Sequence, residues 1–197
     1  ALAVFRADAS TTIGGGHVMR SLSLADGLSE QGWRCVFACR PQTTDTVAAL
    51  QHSAHDLIIL QAENEADEIM KKLEGRANWL IVDHYNRDAV FHRACRRWAD
   101  SILVIDELAD RQYDCDILLD QTVDRDVDDY GALVPSSCRF LIGPLYALLR
   151  PEFAAQRDAS LARRQEGSGI NKVLVSFGAV DAHNLSGLTV AALQQAG

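Results

Sequence analysis

Short, largely apolar runs punctuate the chain at residues 2–5, 33–38 (broken only by Arg34), 57–60, 79–82 (WLIV), 102–105 (ILVI) and 117–119. Between them lie mixed stretches whose apolar positions recur at helical spacing, at about 17–31, 43–51, 63–73 and 88–98. In the first of these, Met19, Leu22, Leu24, Ala25 and Leu28 fall near one helix face, and Gly32 supplies a stop. Strands that are apolar at every position are covered on both faces, and strands alternating with helices connect in parallel. The pattern predicts an open, doubly wound α/β domain, with ligands held at the carboxyl ends of its strands. No internal repeat is evident.

After Asp120 the texture changes. Residues 121–137 (QTVDRDVDDYGALVPSS) are acidic and turn-rich, which predicts a surface loop rather than a metal site. A long helix is expected over 151–164, with Pro151 in its first turn where the missing N–H costs nothing. Glu166-Gly167-Ser168-Gly169 has the composition of a linker. Beyond it, KVLVSF (172–177) reads as a strand, Gly178 as a turn and 184–196 as a helix. The expected organisation is one domain over 1–165, then a linker and the first βα unit of a second α/β domain over 166–197. One strand and one helix cannot bury a core, so the chain reads as a fragment of a longer protein.

The composition narrows the function. The chain has 197 residues, 48% hydrophobic and 23% charged, with a formal net charge of -8. No cationic cluster exceeds pairs such as Arg96-Arg97 and Arg163-Arg164. A nucleic-acid groove or an anionic membrane surface requires concentrated positive charge, so neither is an expected partner. A small anion held by main-chain dipoles stays possible, because local N–H groups outweigh a distant negative field. The five cysteines (Cys35, Cys39, Cys95, Cys115, Cys138) are scattered and never spaced CxxC. They read as reduced, structural thiols of a cytoplasmic protein. No secretory signal is visible, and no apolar run approaches the roughly 20 residues that span a bilayer.

The chemistry concentrates at IGGGHVMR (13–20), where Gly14, Gly15, Gly16 and His17 follow the first strand and open the first helix. This is not the dinucleotide fingerprint, since Met19 stands where GxGxxG needs glycine, and no Gly-Lys-Ser/Thr follows to make a phosphate loop. Spectator glycines in a plain βα turn are the simplest alternative. A histidine at a helix N-terminus tends to stay neutral and can accept a proton, and adjacent main-chain donors can stabilise an anion. A capping or core histidine is the competing reading. Arg6 and Asp8 leave the first strand, Asp83, His84 and Tyr85 the fourth, and Asp106 the fifth, so all reach the same rim. Asp106 and the ELADR that follows it also fit a merely capped turn. A serine triad has no GxSxG support. A zinc site from His84, His92 and Cys95 fails because only His92 and Cys95 share helical spacing. A second glycine turn at 176–181 (SFGAVD) would suit a pyrophosphate.

FRADAS, IGGGHVMRSLSLADGL, VDHY, DILLDQ, LVP, GPLYALLRPEF and VLVSFGAVD, in that order from Phe5 to about Asn184, resemble the UDP-sugar hydrolases of pseudaminic acid biosynthesis. The IGxGH turn alone is shared more loosely with glycosyltransferases of the two-domain GT-B fold. The resemblance implies a GT-B architecture: a Rossmann-like, sugar-side domain facing a second Rossmann-like domain that binds UDP, here truncated. It implies hydrolysis of a UDP-linked 2,4-diacetamido-2,4,6-trideoxy sugar at its anomeric carbon, with inversion, without metal or cofactor, in a pathway serving flagellin glycosylation. His17 matches the family's catalytic base. Gly15 and Gly16 match the loop that meets the substrate, and Asp83 and Tyr85 match the DHY segment on the cleft. Arg6, Asp8, Gly14, Gly178 and Asp181 complete the candidate substrate contacts. Where the family has GGxD this chain has Gly178-Ala179-Val180-Asp181, a methyl group where backbone must approach phosphate. A GT-B glycosyltransferase and a non-catalytic nucleotide-sugar binding protein are the alternatives, and the oligomeric state is open.

Overall fold

All six apolar runs become strands, and a seventh joins them. The computed structural model describes residues 1–165, 169–170, 172–178, 181 and 183–195. In chain order the elements are β1 (Leu2–Ala7), α1 (Gly16–Glu30), β2 (Arg34–Cys39), α2 (Gln42–Thr46), α3 (Ala48–Gln51) and β3 (Asp56–Ile59). There follow α4 (Glu65–Lys72), β4 (Ala77–Asp83), α5 (Ala89–Cys95), β5 (Ala99–Ile105), β6 (Ile117–Asp120) and β7 (Arg139–Ile142). Beyond the sheet lie α6 (Pro151–Ala155), α7 (Arg157–Gln165) and α8 (Leu185–Gln195).

The strands form one seven-stranded sheet in the order β3-β2-β1-β4-β5-β6-β7, parallel throughout. This is the Rossmann-like, doubly wound arrangement. From β1 the chain first builds toward β3 and then returns to place β4 on β1's other side. That reversal opens a crevice between the carboxyl ends of β1 and β4, where α/β sheets hold their ligands. His17 follows β1, and Asp83 ends β4.

Successive side chains along each strand enter opposite cores. Val4, Val36, Ala38, Leu80, Val82, Ile102, Val104 and Leu118 face one layer, closed by Ile69, Cys95 and Trp98. Ala3, Phe5, Ala7, Cys35, Phe37, Cys39, Ile81, Ile105 and Leu119 face the other, closed by Val18, Leu22 and Ala25 of α1. Phe5 and Phe37 stack at 4.9 Å on adjacent strands. Each fully buried side chain of this size contributes about 1.5–3 kcal/mol. Helix α1 stops as Gly32 predicts: at φ +81°, Gly32 donates to the Ser29 carbonyl and Trp33 to that of Leu28, satisfying the last turn. All five cysteines are free, buried thiols.

Four features depart from the sequence pattern. The helix expected over 43–51 is two short helices, broken where Val47 leaves helical geometry (φ -123°, ψ 86°). The helix over 151–164 is likewise divided at Gln156. Strand β7 was not foreseen; it is a four-residue edge strand beginning with Arg139 and only half covered, so its apolar signal is short. The acidic stretch 121–137 does run over the surface, but Tyr130 plunges from it into the core and donates to Asp106 and Asp120.

Residues 172–177, expected as a strand, have no strand pairing among the described residues. A strand exists through its ladder hydrogen bonds, and no described segment pairs with this one. Leu174 is 92% exposed and Val173 is also open to solvent. The expected helix is present as α8, with no buried residue. The linker at 166–168, together with Ala179 and Val180 of the second turn, lies outside the described residues. Among the described residues no helix is long and apolar enough to cross a membrane.

Candidate active site at the β1–β4 crevice

The loop leaving β1 is closed on itself. Gly14 donates to the Ser10 carbonyl at 2.8 Å, and the Ser10 hydroxyl accepts from the amides of Thr12 and Ile13 at 3.2 Å each. Gly14 sits at φ +73°, where a side chain would be strained. Gly15 takes the N-cap position of α1 without any side-chain cap, so the first-turn amides of this helix have no side-chain acceptor. Gly16 is exposed and a Cβ there would meet open space. The loop therefore presents main-chain donors at its second half and uses its first half to hold its own shape.

His17 follows directly, only 6% exposed. Its Nδ1 lies 2.6 Å from Asp83 Oδ1. Two lone pairs cannot approach that closely, so a proton lies between them: Nδ1 is the donor, and in the neutral ring the lone pair falls to Nε2. Nε2 has no hydrogen-bond partner among the described residues, and the ring lines two cavities. One, of about 350 Å³, is walled by Gly16, Arg20, Tyr85, Glu107, Gln121, Leu148, Arg150 and Phe153. The other, of about 340 Å³, is walled by Asp8, Ser10, Gln42, His84, Tyr85 and Asn86.

Asp83 is buried and also receives Arg20, whose Nε lies 2.5 Å from Oδ2 and Nη2 2.6 Å from Oδ1. Arg20 Nη2 continues to Glu107 Oε2 at 2.8 Å, and the other oxygen of Glu107 accepts the Tyr85 hydroxyl at 2.7 Å. Burial and this bond to a carboxylate push the Tyr85 phenol up to about 12, so it stays a donor. The Tyr85 ring meets His17 edge-on at 4.4 Å.

Arg6 lies beneath this layer and is fully buried. It donates to Asp8 at 2.7 Å and to both oxygens of Glu65 at 2.8 and 2.9 Å. Arg87 grips the same Glu65 at 2.6 and 2.8 Å. Burial alone would raise the Glu65 carboxyl, but the two guanidinium groups outweigh it and hold it at about 2. Asp8 is likewise held well below the ordinary range: burial opposes ionisation, and His84, Arg6 and the Arg40 amide overcome it. His84 accepts from the Asn86 amide at Nδ1 and so donates to Asp8 through Nε2, 3.2 Å away. Burial pushes the pKa of that imidazole down, against the pull of Asp8. Asp8 thus reaches the second cavity, whereas Arg6 touches neither and supports Asp8 from below.

Asp106 has the bland role foreseen for it: its carboxylate caps the turn at Leu108 and Ala109 and accepts from Tyr130. Asp181 caps α8, accepting from Leu185 and Ser186 at 2.8 Å each. Gly178 adopts φ +83°, and with Phe177 it faces Thr11, Thr12, Gly14, Gly15 and Gly16 across a cavity of about 430 Å³. Arg20 and Glu107 were missed in the sequence. Arg20 carried a signal, since it stands three residues after His17 and so on the same helix face.

No family model matches the chain. It is similar to the UDP-2,4-diacetamido-2,4,6-trideoxy-beta-L-altropyranose hydrolase of Campylobacter jejuni, with 28% identity over 184 residues, or 93% of this chain and 62% of that protein. It is also similar to an uncharacterized protein of Methanocaldococcus jannaschii, with 23% identity over 183 residues covering 91% of this chain and 37% of that one. The chain thus spans less than two thirds of the length of either relative. Both similarities extend across nearly the whole chain.

Proposed function

We propose that this chain is the sugar-side part of a UDP-sugar hydrolase of GT-B type, and that His17 is its general base. The observation that carries the proposal is the His17–Asp83 pair at the β1–β4 crevice, with a free Nε2 turned to open cavities beside uncapped helix amides.

Water attacks the anomeric carbon and gives its proton to Nε2. The bond from that carbon to the diphosphate oxygen breaks, and UDP departs with the bonding electrons. Asp83 holds the imidazole in the required tautomer and offsets the charge it gains. Main-chain donors of the Gly15–Gly16 loop, together with the Gly178 turn opposite, meet the charge that develops on the diphosphate, with no metal required for that step. A single direct displacement inverts the anomeric centre. Asp8, Tyr85 and their cavity neighbours contact the sugar, and residues 166–197 begin the UDP-binding domain. The name of the Campylobacter relative supports a UDP-linked 2,4-diacetamido-2,4,6-trideoxy sugar as substrate. Five free thiols fit the cytoplasm, where nucleotide sugars are made.

Incubating the full-length protein with that UDP-sugar and no acceptor tests the reading. UDP release, with the free sugar first seen by NMR as the inverted anomer, is expected. Turnover that appears only when an acceptor alcohol is added would make the protein a glycosyltransferase instead.

A further inference from the structure

We infer that Arg20 and Glu107 are positioning residues that fix the tautomer and orientation of His17. The inference rests on the hydrolase reading for its kinetic consequence but not for its geometry.

Five side chains close a circle. His17 donates to Asp83, Arg20 grips Asp83 with two N–H groups and Glu107 with Nη2, Glu107 accepts from Tyr85, and the Tyr85 ring returns to the edge of His17. The fold brings these groups together through two spacings. His17 and Arg20 are one turn apart on α1, so both lean over the end of β4. Val82 pairs with Val104 across β4 and β5, an offset of 22 residues, and Tyr85 and Glu107 keep that offset two residues beyond each strand. The parallel register therefore continues into the two loops and sets phenol against carboxylate.

Each link has a consequence for His17. Asp83 accepts from Nδ1 in one direction when its own oxygens are fixed, and the forked guanidinium fixes both. Arg20 Nη2 lies 3.2 Å from His17 Nδ1, but both are donors there, so this contact adds charge and no hydrogen bond. Glu107 holds the guanidinium in plane and anchors Tyr85, which stops the imidazole from swinging into the cleft. Two carboxylates and one guanidinium surround the ring, so a proton gained at Nε2 meets an excess of acceptor groups. A point charge could supply the attraction, but only the fork supplies the geometry.

The test uses the full-length protein with ¹⁵N-labelled histidine, read by ring-nitrogen NMR alongside steady-state kinetics. In the unsubstituted protein His17 should show one tautomer, protonated at Nδ1. In Arg20→Ala it should become a mixture, with kcat lower by about 100-fold and KM within about threefold. Added guanidinium should restore kcat by about tenfold, and Arg20→Lys should lie between the two. An unchanged tautomer with kcat within about twofold of the unsubstituted protein overturns the inference. So does a loss that falls on KM alone, which would make Arg20 a substrate contact. Glu107→Gln serves if Arg20→Ala does not fold: kcat should drop about tenfold at constant KM, and full activity with unaltered His17 signals overturns the inference. If the unsubstituted protein releases no UDP, the hydrolase reading falls, while the nitrogen signals still decide the positioning role.

Discussion

His17 Nδ1 and Asp83 Oδ1 lie 2.6 Å apart across the point where the sheet reverses direction, one residue from the helix after β1 and the other from the last position of β4. Neither could be moved along its element without losing the other. One residue further along α1 turns a side chain by about 100°, and one residue back on β4 turns it to the opposite face. The bond also settles which imidazole nitrogen is free, and so which direction the base faces.

Asp83→Asn keeps the shape of that contact but no longer demands a proton on Nδ1. The amide can donate to Nδ1 and so stabilise the other tautomer, leaving Nε2 protonated and unable to act. We expect kcat to fall by about 10²–10⁴-fold with little change in KM. Steady-state kinetics of UDP release checks it; a loss confined to KM would speak for Asp83 as a substrate contact.

Arg6 separates a structural role from a binding one. It is wholly enclosed and neutralises Asp8 and Glu65. Arg6→Met leaves two buried carboxylates short of a partner, which costs about 3–5 kcal/mol. The melting temperature of the domain that holds Arg6 should fall by roughly 10 °C. Below that transition, KM for the UDP-sugar should stay within a few-fold, measured at a temperature where the variant is folded.

His92 gives the fold an acid-sensitive point. It is buried against Tyr113, accepts from the Asp114 amide at Nδ1 and leaves Nε2 unpartnered. Burial, reinforced by Arg111, holds the imidazole down at about 4. Between about pH 6.5 and 4 the unfolded chain therefore binds a proton that the folded protein refuses, and stability falls as the pH drops through this window. The loss is at most about 3 kcal/mol. His92→Asn, whose side-chain oxygen can still accept from Asp114, should flatten urea-unfolding stability across that window. Acid loss below about pH 4.5 should persist, because the unfolded chain then binds a proton at Glu65 that the folded protein, holding this carboxyl at about 2, refuses.

The sequence revealed the sheet because its central strands are apolar on both faces, and it revealed His17 because a histidine opening a helix after a glycine loop is a local pattern. It did not reveal β7, whose half-covered edge position asks for only a brief apolar run. Nor did it reveal the ladderless state of 172–177, since KVLVSF has strand composition and only a neighbour could make it a strand. Arg6, inside β1, and Asp8, just beyond its end, stand two residues apart and read alike in the sequence. What separates them is Glu65, 59 positions beyond Arg6, which draws the guanidinium inward. Glu107 and Tyr85 meet only through the register of β4 and β5, a relationship that exists between strands and not along the chain.

The most direct test of the account is His17→Gln in the full-length protein, with UDP-sugar binding by calorimetry measured beside turnover. A proton acceptor that does not itself hold the substrate predicts a fall in kcat of about 10²–10⁴-fold, with Kd unchanged within a few-fold. Turnover that survives within tenfold, or binding that is lost in step with turnover, would contradict a general base at this position.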